Sequence, residues 1–248
     1  MTLPHFFINS DSVKENSILI TDKDNYVHIA KSLRARVGEK ILLIDENQIQ
    51  YETIITNITS NLIEAKIEKK YKSQRDLKFD LFLAQSPLRS DAQNIIIEKA
   101  TELGVKGVYP VITDNCALNK QVIKKKIPKW QRIMYEASKQ CERAVIPKTF
   151  DEMTLSDLIE NNQFDKVIAF CERKTKKSLR EFINCNPIKK GDKILIIIGP
   201  EGGFSEREFK YFEERKIPMI TLGDLILKAE TAAVVALGNI IYEFQNNR

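Results

Sequence analysis

The chain has 248 residues, 43% of them hydrophobic and 29% charged, which is enough apolar material for one large core or two smaller ones and too much for a disordered segment. No stretch approaches the roughly eighteen apolar residues of a spanning helix, and the opening MTLPHFFINSDS lacks the basic start and apolar run of an export signal, so a cytoplasmic protein without a membrane partner is expected. Four cysteines without a CxxC pair and only two histidines argue against a metal site and against histidine-dependent nucleophilic catalysis, while the net charge is +5.

The first helical stretch is NYVHIAKSLRA. Three segments that alternate apolar and polar positions follow: KILLID at 40–45, IQYETIITN at 49–57 and NLIEAKIEK at 61–69. They predict antiparallel strands of a small β-rich domain. The charged KKYKSQRD at 69–76 has no apolar period and is expected to be a linker, with a domain boundary near residue 76. Residues 1–76 and 77–248 are therefore the two expected domains.

From residue 77 the pattern switches to strands and helices in turn. FDLFLAQ, VKGVYPV, FDKVIAF, KILIII and IPMITLG read as strands. DAQNIIIEKATELG, a long basic helix containing Trp130 and a last helix from about Ala229 to Phe244 read as helices. This alternation predicts an α/β domain with a mostly parallel sheet covered on both faces, whose ligands sit beyond the carboxyl ends of the strands.

Residues 1–76 hold 11 basic and 11 acidic side chains, so the positive excess belongs wholly to the second part. Residues 120–148 alone carry nine bases against two acids, and RKTKKSLR at 173–180 adds five bases. Either a polyanion binds there, with Lys124, Lys125, Lys126 and Arg132 as contacts, or these are solvated helix faces.

Residues 198–204, IGPEGGF, place three of the chain's nine glycines just past the KILIII strand. Glycines here allow close backbone approach, and Ser205 with Glu208 has the spacing of a capping box for a following helix. The loop matches neither GxGxxG nor GxxxxGK[ST], so it lacks the usual marks of a dinucleotide or triphosphate site. A second glycine-bearing segment, TLGDLILKAETA at 221–232, also follows an expected strand.

IGPEGGFSEREF, LGDLILKAETA, EKATELGV and YEASKQCERAVIP together resemble the 16S ribosomal RNA uridine N3-methyltransferase family of the SPOUT superfamily, and the β-rich start opening LPHFF resembles that family's PUA-like domain. The resemblance implies a PUA-like β-barrel, a trefoil knot in the second domain and a homodimer. It also implies S-adenosyl-L-methionine bound by Gly199, Pro200, Glu201, Gly202 and Gly203 in one loop and by Leu222, Gly223, Ile226 and Leu227 in the other, closed by Glu230 and Thr231. The implied partner is 16S rRNA of the small ribosomal subunit, at the uridine at position 1498 in the usual rRNA numbering.

In that mechanism Glu201 or Glu230 takes the N3 proton, and Arg143, grouped with Glu136 and Gln140 on one helix face, offsets the charge left on the base. Leu225 and Lys228 stand where the family usually has arginines, which alters the RNA grip expected of Lys228. Trp130 and Tyr135 are either stacking surfaces for bases or core residues. Two rival readings are a SPOUT enzyme acting on ribose 2′-O of transfer RNA and a non-catalytic RNA-binding assembly factor.

Overall fold

The computed structural model describes residues 3–73, 76–89, 91–172 and 174–246. The chain divides into two compact units, Met1–Asp76 with Ser138–Val145, and Leu77–Ala137 with Ile146–Arg248.

In the first unit, β1 (His5–Phe7), β2 (Ser17–Ile20), β3 (Lys40–Ile44), β4 (Ile49–Ile58) and β5 (Ile63–Lys72) form one sheet in the order β1-β3-β4-β5-β2. β1 runs parallel to β3, and the other pairs are antiparallel. Alternate residues point inward, so Ile41, Leu43, Tyr51, Ile55, Ile63 and Ala65 share a core with Phe6, Ile18 and Ile29. The expected helix is present as α1 (Lys23–Tyr26), which continues into a π-helical turn at Val27–Ser32. Asp45 fixes the β3–β4 turn: its Oδ1 accepts the N–H groups of Asn47 and Ile49, both at 2.9 Å, and its Oδ2 accepts the Tyr51 hydroxyl at 2.9 Å. Burial first, and then this carboxylate, push the Tyr51 phenol up to about 12.

The linker expected to begin at residue 69 starts later, because β5 continues to Lys72. Its charges are used across the sheet. Glu52 lies opposite Lys69 with an ion pair of 3.5 Å, and Lys70 Nζ stands 5.4 Å from the centre of the Tyr51 ring. Cross-strand pairing thus accounts for polar residues that have no apolar period.

In the second unit, β6 (Asp80–Gln85), β7 (Gly107–Ile112), β8 (Lys148–Thr149), β9 (Met153–Thr154), β10 (Lys166–Phe170), β11 (Lys193–Ile198) and β12 (Met219–Ile220) are joined by parallel pairings only. The order is β12-β10-β11-β6-β7-β8, with β9 beside β7. The helices are α2 (Ala92–Glu102), α3 (Lys120–Gln140), α4 (Leu155–Asn161), α5 (Leu179–Cys185), α6 (Glu206–Glu214) and α7 (Ala229–Asn246).

β11 is apolar from Ile194 to Ile198 because both of its sides are covered. Ile194, Ile196 and Ile198 pack with residues of α2, α3, α5 and α7, whereas Leu195 and Ile197 pack with residues of α4 and α6. Trp130, only 1% exposed, belongs to the first of these cores and is not a stacking surface for bases. EKATELGV ends α2 by the usual device: Gly104 adopts φ +90°, and the N–H of Val105 returns to the Ala100 carbonyl at 3.1 Å. The helices after β6 and β11 pack on opposite faces, so the sheet's winding reverses between these neighbouring strands. Parallel sheets open a ligand crevice at such a point.

Candidate functional site

The glycine loop leaves β11 at this reversal. Gln85, the last residue of β6, is fully buried, and its Nε2 donates to the Ser86 carbonyl at 2.7 Å and the Gly199 carbonyl at 3.3 Å. It thereby ties the ends of β6 and β11. Gly199 and Pro200 are buried and Glu201 and Gly202 exposed, while the N–H of Gly203 closes a turn on the Pro200 carbonyl at 2.9 Å. Gly203 has φ +68°, and no described residue lies within 4 Å of where a β-carbon would stand. At Gly202 a β-carbon would lie 3.2 Å from that of Asn115, whose Nδ2 donates to the carbonyls of Gly202 and Gly203 at 3.3 and 3.1 Å. Glu201 Oε1 accepts the N–H of Arg89 at 3.0 Å.

The capping box is formed. The N–H of Glu208 donates to Ser205 Oγ at 3.2 Å, and the N–H of Ser205 to Glu208 Oε2 at 2.8 Å. Glu208 Oε1 also accepts the N–H of Asp114 at 3.0 Å, so the cap holds the loop after β7 as well. Hydrogen bonds from Arg207 and then Ser205 hold the Asp114 carboxyl below its usual value.

The second loop leaves β12 two strands away from the first, with β10 between. Thr221 Oγ1 accepts the N–H of Gly223 at 3.2 Å and lies 2.8 Å from its carbonyl oxygen. That tight turn puts Gly223 at φ +139°, a conformation suited to glycine, again with no described residue within 4 Å of a β-carbon position. Leu222 and Leu227 are half-buried against the core, while Leu225 and Ile226 are 78% and 64% exposed. Lys228 and Thr231 are exposed, and Glu230 is half-buried in the first turn of α7.

Lys124, Lys125, Lys129 and Arg132 lie on the exposed side of α3, with Lys126 half-buried, and none of the five forms an ion pair among the described residues. Lys120, at the helix start, is 3.8 Å from the buried Glu152. Arg143 does not share a helix face with Glu136 and Gln140. α3 ends at Gln140, and Glu142 then takes φ +59°, which turns the chain. Arg143 is 6% exposed, and its Nη2 pairs with Asp76 Oδ1 at 3.3 Å within the first unit. This carboxylate lies 67 positions away in the sequence.

Two residues at strand ends escaped the sequence reading. Gln85 ends β6 and Glu172 lies two residues past β10, and each has one buried side-chain oxygen, Oε1, with no hydrogen-bond partner among the described residues. A polar residue at or just beyond the end of an apolar run was the available signal.

Comparison with known proteins adds identity to this geometry. Residues 75–241 match the model of an RNA methyltransferase domain, and residues 20–68 that of an RNA methyltransferase PUA domain. Ribosomal RNA small subunit methyltransferase E of Buchnera aphidicola subsp. Acyrthosiphon pisum is 30% identical over 240 residues, 95% of this chain and 91% of the relative. The protein of that name from Bacillus subtilis is 27% identical over 87% of this chain and 86% of its own. A crystal structure of the Neisseria gonorrhoeae protein of that name, bound to S-adenosyl methionine, has the same fold, with a TM-score of 0.81 and 23% identity over 96% of this chain and 97% of that one.

Proposed function

We propose, for a chain that belongs to the RNA methyltransferase family, the transfer of a methyl group from S-adenosyl-L-methionine to N3 of a uridine in 16S rRNA of the small ribosomal subunit. The observation that carries this reading is the pair of glycine loops at the carboxyl edge of the parallel sheet. Gly203 and Gly223 leave open space above exposed backbone, and Gln85 and Glu172 each present an oxygen without a donor among the described residues. Such a cradle fits a small polar ligand with an aromatic ring. Gly199, Pro200, Glu201, Gly202 and Gly203 would hold it from one side, and Leu222, Gly223, Ile226, Leu227 and Thr231 from the other.

When bound, the donor supplies an electrophilic methyl on a sulfonium. The protein's own residues must position the uridine and remove its imide proton, because N3 attacks through the electron pair that proton leaves behind. Glu201, oriented by the Arg89 N–H, and Glu230, in the first turn of α7, are the two proposed acceptors. Arg143 is the proposed cation that offsets the developing negative charge. Lys124, Lys125, Lys126, Arg132 and Lys228 are proposed phosphate contacts. The same reading includes closure of the first unit into a PUA-like barrel, a trefoil knot in the second, a homodimer and a cytoplasmic location.

Small subunits lacking the modification, incubated with the protein and donor and analysed by mass spectrometry, should gain a methyl on N3 of one uridine near the 3′ end of 16S rRNA. A methyl on a ribose oxygen, or none at all alongside tight RNA binding, would reject the proposed reaction. A role as a mere RNA binder leaves the glycine cradle without a purpose.

A further inference from the structure

The strand between the two loops ends in a carboxylate that the motifs do not explain. Glu172 lies two residues past β10, which separates β11 from β12. Its Oε2 is 3.1 Å from Thr221 Oγ1, and its Oε1 is buried and accepts no hydrogen bond among the described residues. The Thr221 hydroxyl has one proton to give, and the Gly223 carbonyl oxygen is closer, at 2.8 Å. Among the described residues the carboxylate therefore receives at most one shared, neutral donor. Ionised oxygens taken from water are stable only when hydrogen-bonded, so this group is matched to something that brings donors.

We propose that Glu172 accepts the ribose hydroxyls of the adenosine half of the methyl donor, a subsite that rests on the donor reading above. A vicinal diol offers two O–H groups to the two oxygens of one carboxylate, and a carboxylate past a strand of a parallel sheet takes a nucleotide ribose in this way elsewhere. Position selects the ribose over the donor's ammonium group. Thr221, the neighbour of Glu172, opens the Leu222–Leu227 loop, whose leucine and isoleucine side chains suit the adenine ring, and the ribose is bonded directly to that ring. The ammonium lies at the far end, beyond the sulfur. Thr221 is itself held in place: its N–H donates to the Lys177 carbonyl at 3.0 Å, and it pairs in parallel with Ser178.

Calorimetric binding to the full chain tests this with three probes: S-adenosylhomocysteine, its 2′-deoxyribose analogue, and methylthioadenosine, which has the ribose but no ammonium. Glu172→Gln should weaken S-adenosylhomocysteine and methylthioadenosine alike, by about tenfold. It should add much less to the loss that the 2′-deoxy analogue already shows with the wild type. Glu172→Asp, which keeps the charge but draws it back, should give an intermediate loss and guards against a misfolded glutamine variant. Equal weakening of all three probes by Glu172→Gln would overturn the subsite, and so would a loss that vanishes with methylthioadenosine. Wild-type protein that binds none of the probes would instead overturn the donor reading, and this inference with it.

Discussion

At Gly202 the space a side chain would need belongs to Asn115, not to open solvent, so a branched substitution acts by pushing on the residue that holds the loop's two carbonyls. Gly202→Val should weaken S-adenosylhomocysteine at least about tenfold by calorimetry, a change of roughly 1.4 kcal/mol, with little change in melting temperature. Arg143 invites a different experiment, since it is buried and paired with Asp76. Arg143→Ala removes the guanidinium from a largely buried ion pair and should cost about 3 kcal/mol of stability, read by denaturant unfolding. If Arg143 also acts on the uridine, Arg143→Lys should restore part of the saturated single-turnover rate, because a point charge supplies the Coulomb term without the planar fork. Folded Arg143→Ala protein with a wild-type rate would leave the residue a purely structural role.

The elements make two further claims. Lys124, Lys125, Lys126 and Lys129 of α3 have no carboxylate partners among the described residues, as expected of a face that meets phosphates, so replacing Lys124, Lys125 and Lys126 by alanine should flatten the salt dependence of RNA affinity. The log–log slope should fall by about 2 for three contacts to single-stranded RNA, and an unchanged slope would return the helix to a solvated face. At the start of α6, Arg207 and Ser205 stabilise ionised Asp114 in the fold. A depressed folded value means that this contribution is present above the ordinary 3.8 and lost as pH falls through the lower, folded value. Asp114→Asn should therefore melt below the wild type at neutral pH, and the gap should close in acid. A gap that persists in acid would show that charge is not what the aspartate supplies.

At the scale of the molecule, each unit has its own core, and the glycine cradle lies wholly in the second. Hydrogen exchange should accordingly show donor-dependent protection at Gly199–Gly203 and Leu222–Leu227 and no change in β3–β5. Protection spread evenly over both units would contradict a donor site confined to the second. Periodicity did not reveal the short strands β1, β2, β8 and β9. It specified β3, β4 and the first part of β5 in one unit and β6, β7, β10, β11, β12, α2, α3 and α7 in the other, because an apolar run between turn residues or a stripe of period 3.6 has few other ways to be buried. IGPEGGF and the capping pair Ser205 and Glu208 were legible for the same local reason, since a turn and a cap involve neighbours in sequence. Three things needed the fold. Lys69 and Lys70 read as linker until Glu52 and Tyr51 stood opposite them, Arg143 found its carboxylate 67 positions away, and Glu172 gained meaning only when β10 was placed between the strands that carry the two loops. Local spacing is written in the sequence, but strand order and pairings between distant residues arise only when the chain closes on itself.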